Sequence, residues 1–404
     1  MSTSSERSFR PASAGLVPRP PIAVYVHDFL TPSMTFVHRQ LLGVSSRFDP
    51  FVLAVRRANQ DRFAFEPVFA ASPGRAGLFA GRLVARWRGR SFALPPLAER
   101  RWRELLRDRR VALLHAHFGP GGIELLPLTE ALGIPLLVTF HGYDASRLLR
   151  DARYVRDLHH LLRTARGITV SEEMRQRLIA LGLPAERLVT HHIGVPLDCF
   201  PRADRTPPAV KAARGEPLRL LQVSNFVEKK GHEWTVRAFA RLRAQRRDVG
   251  LVLAGDGPLR AATEALAREL GVADAISFPG SVRTPEVAAL MQSADVFVHH
   301  SVTAADGDME GIPTVVMEAM ATGLPVVTTR HSGIPELVQD GETGFLVAER
   351  DVDSYVAALE SALGASPEIG AAAARFVREH FDIEKQNDRL ADVYDDVLRR
   401  GGRL

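Results

Sequence analysis

The strongest constraint on the fold is that one local pattern runs through the sequence twice. Short apolar runs of strand length are followed by polar turns and then by amphipathic runs of helix length. One series begins at residues 22–26 (IAVYV), and a second begins at 218–226 (LRLLQVSNF). Strands that alternate with helices form parallel sheets covered by helices. The sequence therefore predicts an α/β protein with two Rossmann-like domains.

The boundaries between these domains follow from changes in composition. Residues 204–217 (DRTPPAVKAARGEP) are rich in Pro and Ala and lack hydrophobic periodicity, which predicts a linker. We therefore expect an N-terminal domain at 21–203 and a C-terminal domain at 218–384. Residues 1–20 contain no apolar core and are expected to form a disordered tail.

Cysteine content and charge bear on the compartment and the partners. Cys199 is the one cysteine, so no internal disulfide can form and a reducing cytoplasm is expected. Residues 1–200 carry a net charge of +11, and the remainder carries −6. Residues 75–110 alone carry +8, with aromatic and aliphatic residues between the arginines. This pattern is typical of an interfacial helix on anionic lipid, and a solvated basic surface is the alternative. No known nucleic-acid-binding module accompanies it.

Polar side chains follow several predicted strands of the first series. Ser33 follows the first strand, His115 and His117 end VALLHAHFG, His141 ends LLVTFHGYD, and Ser171 ends GITVSE. Functional groups of doubly wound sheets lie where strands end, so these residues are expected to line one cleft. Ser33 and Ser171 are also suited to helix capping. The three histidines lack the carboxylate or cysteine that would complete a metal site.

The second series contains an acidic loop followed by an apolar helix, in residues 306–325 (DGDMEGIPTVVMEAMATGLP). Pro313 suits a first helical turn. A helix N-terminus attracts phosphate, whereas Glu310 just before it can accept hydrogen bonds from sugar hydroxyls. Glu318 lies further along the helix and could hold a second polyol, such as a ribose. The local chemistry indicates a nucleotide diphosphate that carries a sugar.

Lysine usage singles out a second candidate phosphate contact. The chain contains four lysines among 52 basic residues, and Lys229 and Lys230 are adjacent in VSNFVEKKGHE. A retained lysine in so arginine-rich a chain suggests a need for a compact ammonium on a flexible stem. Lys229 is interpreted as a solvated neighbour of Lys230.

The spacing Glu310-x7-Glu318 and the sequence around it resemble the donor-site signature of glycosyltransferase family four. The stretch ADGDMEGIPTVVMEAMATGLPVVTTRHSGIPELVQDGETGFLV is most similar to bacterial exopolysaccharide enzymes of the colanic-acid type. The resemblance implies the GT-B fold, in which two Rossmann-like domains face a central cleft. It also implies that residues 385–404 form a helix that crosses back onto the N-terminal domain.

The resemblance implies a role for each matching residue. His141 would lie at the reaction centre, Lys230 would bind phosphate, Glu310 would hold the sugar and Glu318 the ribose. The donor-binding residues would be Asn225, Lys230, Glu310, Gly311, Ile312, Pro313, Thr314 and Glu318. Ser33, His117 and Ser171 would line the acceptor side of the cleft.

The activity implied is retaining transfer of a hexose from a UDP- or GDP-sugar to a saccharide acceptor, without a cofactor or an essential metal. The basic first half points to a lipid-linked acceptor at the inner face of the cell membrane. Asp306 and Asp308 resemble the metal-binding D-x-D of another glycosyltransferase fold, but their position predicts loop residues near the sugar.

One departure from the family pattern leaves alternatives open. Asn225 occupies the position at which the family usually has an arginine, and a neutral amide cannot form a charged clamp on phosphate. A non-catalytic sugar-nucleotide-binding protein is therefore one alternative, and a soluble transferase that makes a free disaccharide is another. A dinucleotide-dependent oxidoreductase would need G-x-G-x-x-G after the first strand, and HDFLTPSMTF does not supply it.

Overall fold

A computed structural model describes residues 18–29, 34–59 and 64–400, which form two α/β domains. The first domain contains β1 (Pro21–Phe29), α1 (Thr35–Val44), β2 (Asp49–Arg57), β3 (Val68–Ala70), α2 (Gly74–Trp87), α3 (Pro96–Asp108), β4 (Leu113–His117), α4 (Gly119–Leu132), β5 (Leu136–Phe140), α5 (Ala152–Leu161), β6 (Arg166–Thr169), α6 (Glu172–Ala180) and β7 (Leu188–Thr190). Its strands form a parallel sheet in the order β3-β2-β1-β4-β5-β6-β7.

The second domain repeats this arrangement with six parallel strands in the order β10-β9-β8-β11-β12-β13. Its elements are α7 (Pro208–Ala213), β8 (Leu218–Val223), α8 (His232–Gln245), β9 (Val249–Ala254), α9 (Arg260–Glu269), β10 (Ile276–Gly280), α10 (Thr284–Ser293), β11 (Val296–His299), α11 (Thr314–Ala321), β12 (Val326–Thr329), α12 (Ile334–Leu337), β13 (Phe345–Val347), α13 (Val352–Leu363) and α14 (Pro367–His380). Strand order reverses between β1 and β4 and between β8 and β11, and ligands of such sheets bind beside the carboxyl ends of strands at these points.

The chain crosses between the domains at two adjacent segments. The Val195 N–H donates to the Phe381 carbonyl (2.7 Å), and the Ile383 N–H donates to the Val195 carbonyl (3.1 Å). Val195 and Phe200 pack in the core of the second domain. The first domain therefore ends before residue 195, earlier than the expected boundary at 203, because an apolar Val and Phe extend the second core backwards.

The last helix, α15 (Ile383–Arg399), packs on the first domain. Leu390 and Tyr394 share a buried cluster with Ile22, Leu113 and Ile168. The described helix thus returns to the N-terminal domain, as expected for residues 385–404, although it begins two residues earlier and residues 401–404 lie outside the described part.

The predicted linker at 204–217 is ordered against the second domain and contains α7. The Arg205 guanidinium donates to the carbonyls of Met291 (2.8 Å) and Ala294 (2.9 Å) and to the Thr322 hydroxyl (2.9 Å). Lys211 forms an ion pair of 2.7 Å with the buried carboxylate of Asp295. The segment lacks periodicity because buried charged contacts, rather than an apolar face, hold it.

The basic stretch 75–110 forms α2 and α3 on the first domain. Phe79, Leu83 and Trp87 occupy one side of α2 and are exposed, with Trp87 85% exposed. Of the residues that the structure describes, none belongs to a helix that is both long and apolar enough to cross a bilayer.

Candidate active site

The backbones of the two domains meet where β5 ends and where α11 begins. A Cβ atom on Gly311 would lie 2.4 Å from the carbonyl oxygen of His141, and one on Gly142 would lie 3.0 Å from the carbonyl oxygen of Met309. The Met309 N–H donates to the Ser146 hydroxyl (3.1 Å) across the same junction. Only glycine permits so close an approach. Gly311 therefore allows Glu310 to lie against the end of a first-domain strand.

Lys230 and Glu310 form an ion pair at this junction. Lys230 Nζ lies 2.5 Å from Glu310 Oε1, and both side chains are largely buried. Burial alone would raise the pKa of Glu310, but the Lys230 ammonium, the neighbouring His299 side chain and the charge of Lys229 together outweigh burial and hold the pKa well below its usual range. Gly231 adopts φ +61° beneath the His300 carbonyl, where a Cβ would lie 1.7 Å from its oxygen. The Lys-Gly dipeptide thus turns the chain into α8 close to β11.

A buried histidine fixes the backbone of Glu310. The Glu310 N–H donates to His331 Nε2 (3.1 Å), and His331 Nδ1 lies 2.6 Å from Glu349 Oε1. Because Nε2 accepts the backbone proton, Nδ1 carries the ring proton and donates it to the carboxylate. The Ser332 hydroxyl also donates to the Glu310 carbonyl (2.9 Å). The sugar-binding candidate is therefore held by its backbone and by Lys230.

Glu318 lies in the middle of α11, half-buried, and faces the first domain. Burial raises the pKa of Glu318 to about 7, and the positive charge of Arg39 in α1 opposes this rise.

The residues before α11 are placed as follows: Ile312 is buried in the second core, and Pro313 is the N-cap of α11 rather than part of its first turn. Thr314 is the first helical residue, so the predicted donor-site backbone does form the helix start.

Close to Lys230, the described residues include a neutral side chain, Asn225, and a second lysine, Lys229, that already has a partner. Asn225 is exposed on the turn after β8. Lys229 is not a solvated neighbour, because its ammonium lies 3.0 Å from Asp308 Oδ2 and both side chains are about four-fifths buried. Asp306 pairs with Arg147 of the first domain (3.1 Å). Both aspartates of the loop are thus paired with basic side chains.

His141 and His117 lie together at the ends of β5 and β4. His117 Nδ1 is 3.0 Å from His141 Nε2, and their rings are stacked with centroids 5.2 Å apart. Burial and the neighbouring His117 lower the pKa of His141, and burial lowers that of His117 to about 3, so both are neutral. Behind them, His115 bonds to the Tyr394 and Thr139 hydroxyls (both 2.7 Å).

The Asp144 carboxylate forms hydrogen bonds with the backbone around His141. Its carboxylate accepts the N–H groups of Gly119 (2.9 Å), His141 (3.0 Å) and Gly142 (3.0 Å). A carboxylate occupied by three donors fixes the turn after β5 and is not placed to act as a base.

Ser171 is fully buried and caps α6 by accepting the Met174 N–H (3.2 Å). Its side chain packs against Gly333 of the second domain. It therefore shapes the junction between the domains instead of facing an open acceptor cleft. Ser33, predicted beside it, lies outside the described residues.

Sequence reasoning missed His331, Glu349 and Arg147. His331 follows β12 directly in TTRHSG, so the strand-end signal applied to the first domain could have found it. Glu349 and Arg147 carry no local signal, because their partners are 18 and 159 residues away.

Two family profiles cover most of the chain. Residues 205–376 match the profile described as Glycosyl transferases group 1, and residues 46–198 match Glycosyltransferase Family 4. The two matches divide the chain where the structure changes domain.

Individual relatives give the same result. A putative colanic acid biosynthesis glycosyltransferase, WcaL, of Salmonella typhimurium is 38% identical over 250 residues, which are 60% of this chain and 59% of that protein. The amylovoran biosynthesis glycosyltransferase AmsK of Erwinia amylovora is 34% identical over 60% of this chain and 59% of its own length. This chain thus matches about three fifths of the length of these relatives. A GDP-mannose-dependent alpha-(1-6)-phosphatidylinositol monomannoside mannosyltransferase of Mycobacterium tuberculosis is 32% identical over 65% of this chain and 71% of that protein.

Solved structures share the whole arrangement. Anabaena HepE, in a complex with UDP and glucose, superposes with a TM-score of 0.74 at 18% identity, covering 94% of this chain and all of that one. Sucrose-phosphate synthase from Thermosynechococcus elongatus gives 0.76 at 20% identity with the same coverage. These similarities establish the GT-B fold. Together with the matching profiles and relatives, they show that the chain belongs to glycosyltransferase family 4.

Proposed function

We propose that the protein is a retaining glycosyltransferase that moves a hexose from a UDP- or GDP-sugar to a lipid-linked saccharide in exopolysaccharide synthesis. The observation that carries this proposal is the buried Lys230–Glu310 ion pair beside the start of α11. An ammonium, a carboxylate and a helix N-terminus within one cleft match the diphosphate and the hydroxyls of a nucleotide sugar.

Binding of the donor would break the Lys230–Glu310 ion pair and give each side chain a partner on the donor. A diphosphate oxygen would take the Lys230 ammonium, and sugar hydroxyls would donate to Glu310. The charge that develops on the leaving diphosphate would then face Lys230 and the first free N–H groups of α11, which is electrostatic stabilisation of the transition state. Glu318, deeper in the helix, would accept hydrogen bonds from the ribose.

Retention of configuration is supported by the first-domain side of the cleft. Asp144 is occupied by backbone donors, and His141 and His117 bond to each other. Attack from the leaving-group side does not require a protein base on the opposite face. A product of inverted configuration would instead require such a base. Burial raises the pKa of Glu124 to about 7, so Glu124 would be the first carboxylate to replace in a search for that base.

The proposal of a UDP- or GDP-sugar as donor is supported by similar proteins that use or bind one of these two nucleotides. A GDP-mannose-dependent enzyme is among the relatives, and UDP and glucose are bound in the HepE structure. The relatives named for colanic acid and amylovoran synthesis support an exopolysaccharide product. The exposed apolar side of α2, flanked by arginines, supports attachment to the inner face of the cell membrane.

A thermal-shift screen of UDP- and GDP-sugars tests donor binding, because a ligand that binds only the folded state raises the melting temperature. We expect one base and one sugar to give the largest shift. Lys230→Ala should abolish that shift, whereas Lys385→Ala, an exposed lysine on α15, should leave it unchanged. NMR of the product from a transfer assay then gives the anomeric configuration.

The outcomes separate the alternatives. No shift with any sugar nucleotide would contradict the proposal. A shift without transfer to any saccharide acceptor would favour a non-catalytic binding protein, which the neutral Asn225 also favours. Efficient transfer to a free sugar would favour the soluble transferase.

A further inference from the structure

The first domain contains a cavity of about 530 Å³ between α2 and the carboxyl ends of β1 and β2. Among the described residues, five arginines line it: Arg56, Arg82, Arg86, Arg90 and Arg153. Arg56 is neutralised by Asp28, with contacts of 2.5 and 3.0 Å. Within the described part of the chain, the other four form no ion pair with a carboxylate. The cavity is therefore strongly positive.

One of these guanidinium groups has a donor that is both buried and unused. Nη1 of Arg90 is shielded from solvent and makes no hydrogen bond to any described residue. A buried donor without an acceptor is destabilising, and a bound anion is one explanation for such an atom in a native structure. The group that best meets several convergent guanidinium groups is a phosphate, which accepts paired hydrogen bonds from each.

Glu124, the one carboxylate among the described residues that line the cavity, does not cancel this charge. Glu124 accepts a hydrogen bond from the Tyr25 hydroxyl (2.5 Å). Burial raises the pKa of Glu124 to about 7, so near neutral pH about half of the carboxyl groups are uncharged.

The cavity adjoins the reaction centre on one side. Glu124, which lines the cavity, and Asp308 of the donor loop both raise the pKa of Tyr143, so Tyr143 lies within electrostatic range of both carboxylates. Its ring contacts Phe118 (centroids 5.3 Å apart), and Phe118 contacts His141 (4.6 Å). A row of rings therefore leads from Tyr143, which is within range of the cavity's Glu124, to His141 at the proposed reaction centre.

On its other side, the cavity adjoins the exposed apolar surface of α2. Leu78, Arg82 and Arg86 line the cavity from this helix, while Leu83 and Trp87 point outward from it. One helix thus separates a cationic cavity from an apolar exposed stripe. This arrangement fits a ligand with an anionic group joined to a hydrocarbon chain.

We propose that this cavity binds the phosphate or diphosphate group of the acceptor, with the lipid leaving along α2 and the saccharide extending over Tyr143 toward His141. The inference rests on the proposed transferase function and adds the part of the acceptor that the first domain recognises. Arg86 and Arg90 supply the principal contacts.

Isothermal titration with short, soluble probes tests this assignment. Farnesyl diphosphate, sodium pyrophosphate and farnesol are titrated while excess UDP and GDP occupy the donor site. We expect farnesyl diphosphate to bind more tightly than pyrophosphate and farnesol not to bind. The double variant Arg86→Gln/Arg90→Gln should raise the Kd of farnesyl diphosphate at least about tenfold, since it loses charge-assisted hydrogen bonds to phosphate.

The matched control is Arg101→Gln/Arg107→Gln, which removes the same charge from exposed positions on α3 outside the cavity. It should leave the Kd unchanged. Melting temperature and nucleotide binding, measured on all variants, report whether they are folded. Unchanged binding in the cavity variant, or no binding of farnesyl diphosphate by the native protein, would overturn the assignment.

Two further outcomes are distinguishable. Pyrophosphate that binds as tightly as farnesyl diphosphate would assign the cavity to a free anion and overturn the lipid-linked acceptor. If the native protein binds farnesyl diphosphate but no sugar nucleotide, the proposed transferase function alone is refuted. If it binds a sugar nucleotide but no farnesyl diphosphate, this inference alone is refuted.

Discussion

At the scale of single residues, the site is organised by the mutual neutralisation of Lys230 and Glu310. Each side chain is largely buried, and a buried charge without a partner is costly. Both partners are also suited to a donor, one through its phosphate and the other through its sugar. The pair therefore keeps the site folded and also supplies the groups that the proposed substrate would use.

Replacing the two glutamates should separate their roles. Glu310→Gln is expected to abolish sugar transfer while nucleotide binding persists, because Glu310 would touch only the sugar. Glu318→Ala is expected to weaken nucleotide binding by about 1–3 kcal/mol, because its hydrogen bonds to the ribose would be lost. Titration of UDP or GDP into each variant, together with a transfer assay, measures both effects.

Glu342→Ala, an exposed residue of the same domain, is the control for both measurements. Equal loss of nucleotide affinity in the two variants would contradict this division of roles.

Activity is expected to survive chelation of divalent cations by EDTA. Asp308 and Asp306 are engaged by Lys229 and Arg147, and the diphosphate would be neutralised by Lys230 and a helix N-terminus. The measurement is the transfer rate with and without EDTA. Loss of turnover that Mn²⁺ or Mg²⁺ restores would identify these aspartates as metal ligands, and Asp308→Asn would then show the same loss.

The sequence indicated the individual residues of the site better than their contacts. Lys230 and Glu310 were both singled out, but their ion pair was not, since 80 positions separate them and no local pattern reports it. Lys229 was interpreted as solvated for the same reason, because its partner belongs to a distant loop. Ser171 was correctly considered as a helix cap, but burial against Gly333 depends on the second domain and could not be seen locally.

At the scale of elements, α2 and α3 show how one basic stretch forms two different surfaces. On α3, Trp102 and Leu106 are buried in the first core. On α2, Phe79, Leu83 and Trp87 are exposed along one side. Charge and composition predicted both helices as one basic region, but they could not tell which of the two would pack its apolar side.

Removing the exposed apolar side of α2 should release the protein from membranes. The triple variant Phe79→Ser/Leu83→Ser/Trp87→Ser retains every arginine, so any loss reports the apolar contribution. We expect the native protein to co-sediment with phosphatidylglycerol vesicles at low salt and to dissociate at high salt, since each basic group contributes about 1 kcal/mol and salt screens it. The triple variant should sediment less than the native protein at the same low salt concentration, because only the electrostatic attraction remains.

Leu97→Ser, an exposed position on α3, is the matched control and should sediment like the native protein. Sedimentation of the triple variant with anionic vesicles at the native level would show that the apolar side of α2 does not enter the bilayer.

At the scale of the whole molecule, a carboxylate from the second domain joins the two domains. Glu336 of α12 accepts the N–H groups of Glu172 (2.8 Å) and Glu173 (2.9 Å) at the start of α6, and it pairs with His192 (3.1 Å). A carboxylate at a helix N-terminus is favourable for both charge and hydrogen bonding. The two domains and their order were predictable from sequence, but this contact was not, because GIPELV reads only as a short helix.

Glu336→Ala should lower the melting temperature at neutral pH and permit the domains to separate. Although burial opposes ionisation, the bonds to His192 and the backbone lower the pKa of Glu336 below its ordinary value. Its contribution is therefore complete above the ordinary carboxyl pKa of about 4.3 and is lost as the pH falls through the lower folded value. The difference from the native protein should be about 1–3 kcal/mol at pH 7 and should shrink below about pH 4.

Calorimetry across this pH range and small-angle scattering at neutral pH provide the measurements. A constant difference in stability at every pH would show that the ionised form of Glu336 is not what joins the domains.

The return of α15 to the first domain has a consequence for how the protein is made. The N-terminal part of a nascent chain leaves the ribosome first, and domains commonly fold as they emerge. Here Leu390 and Tyr394 fill the core beside Ile22 and Leu113, so the first domain lacks part of its interior until the second domain and α15 have been translated. During that interval its sheet presents an uncovered apolar face, which makes the nascent chain a substrate for chaperones that bind hydrophobic surface.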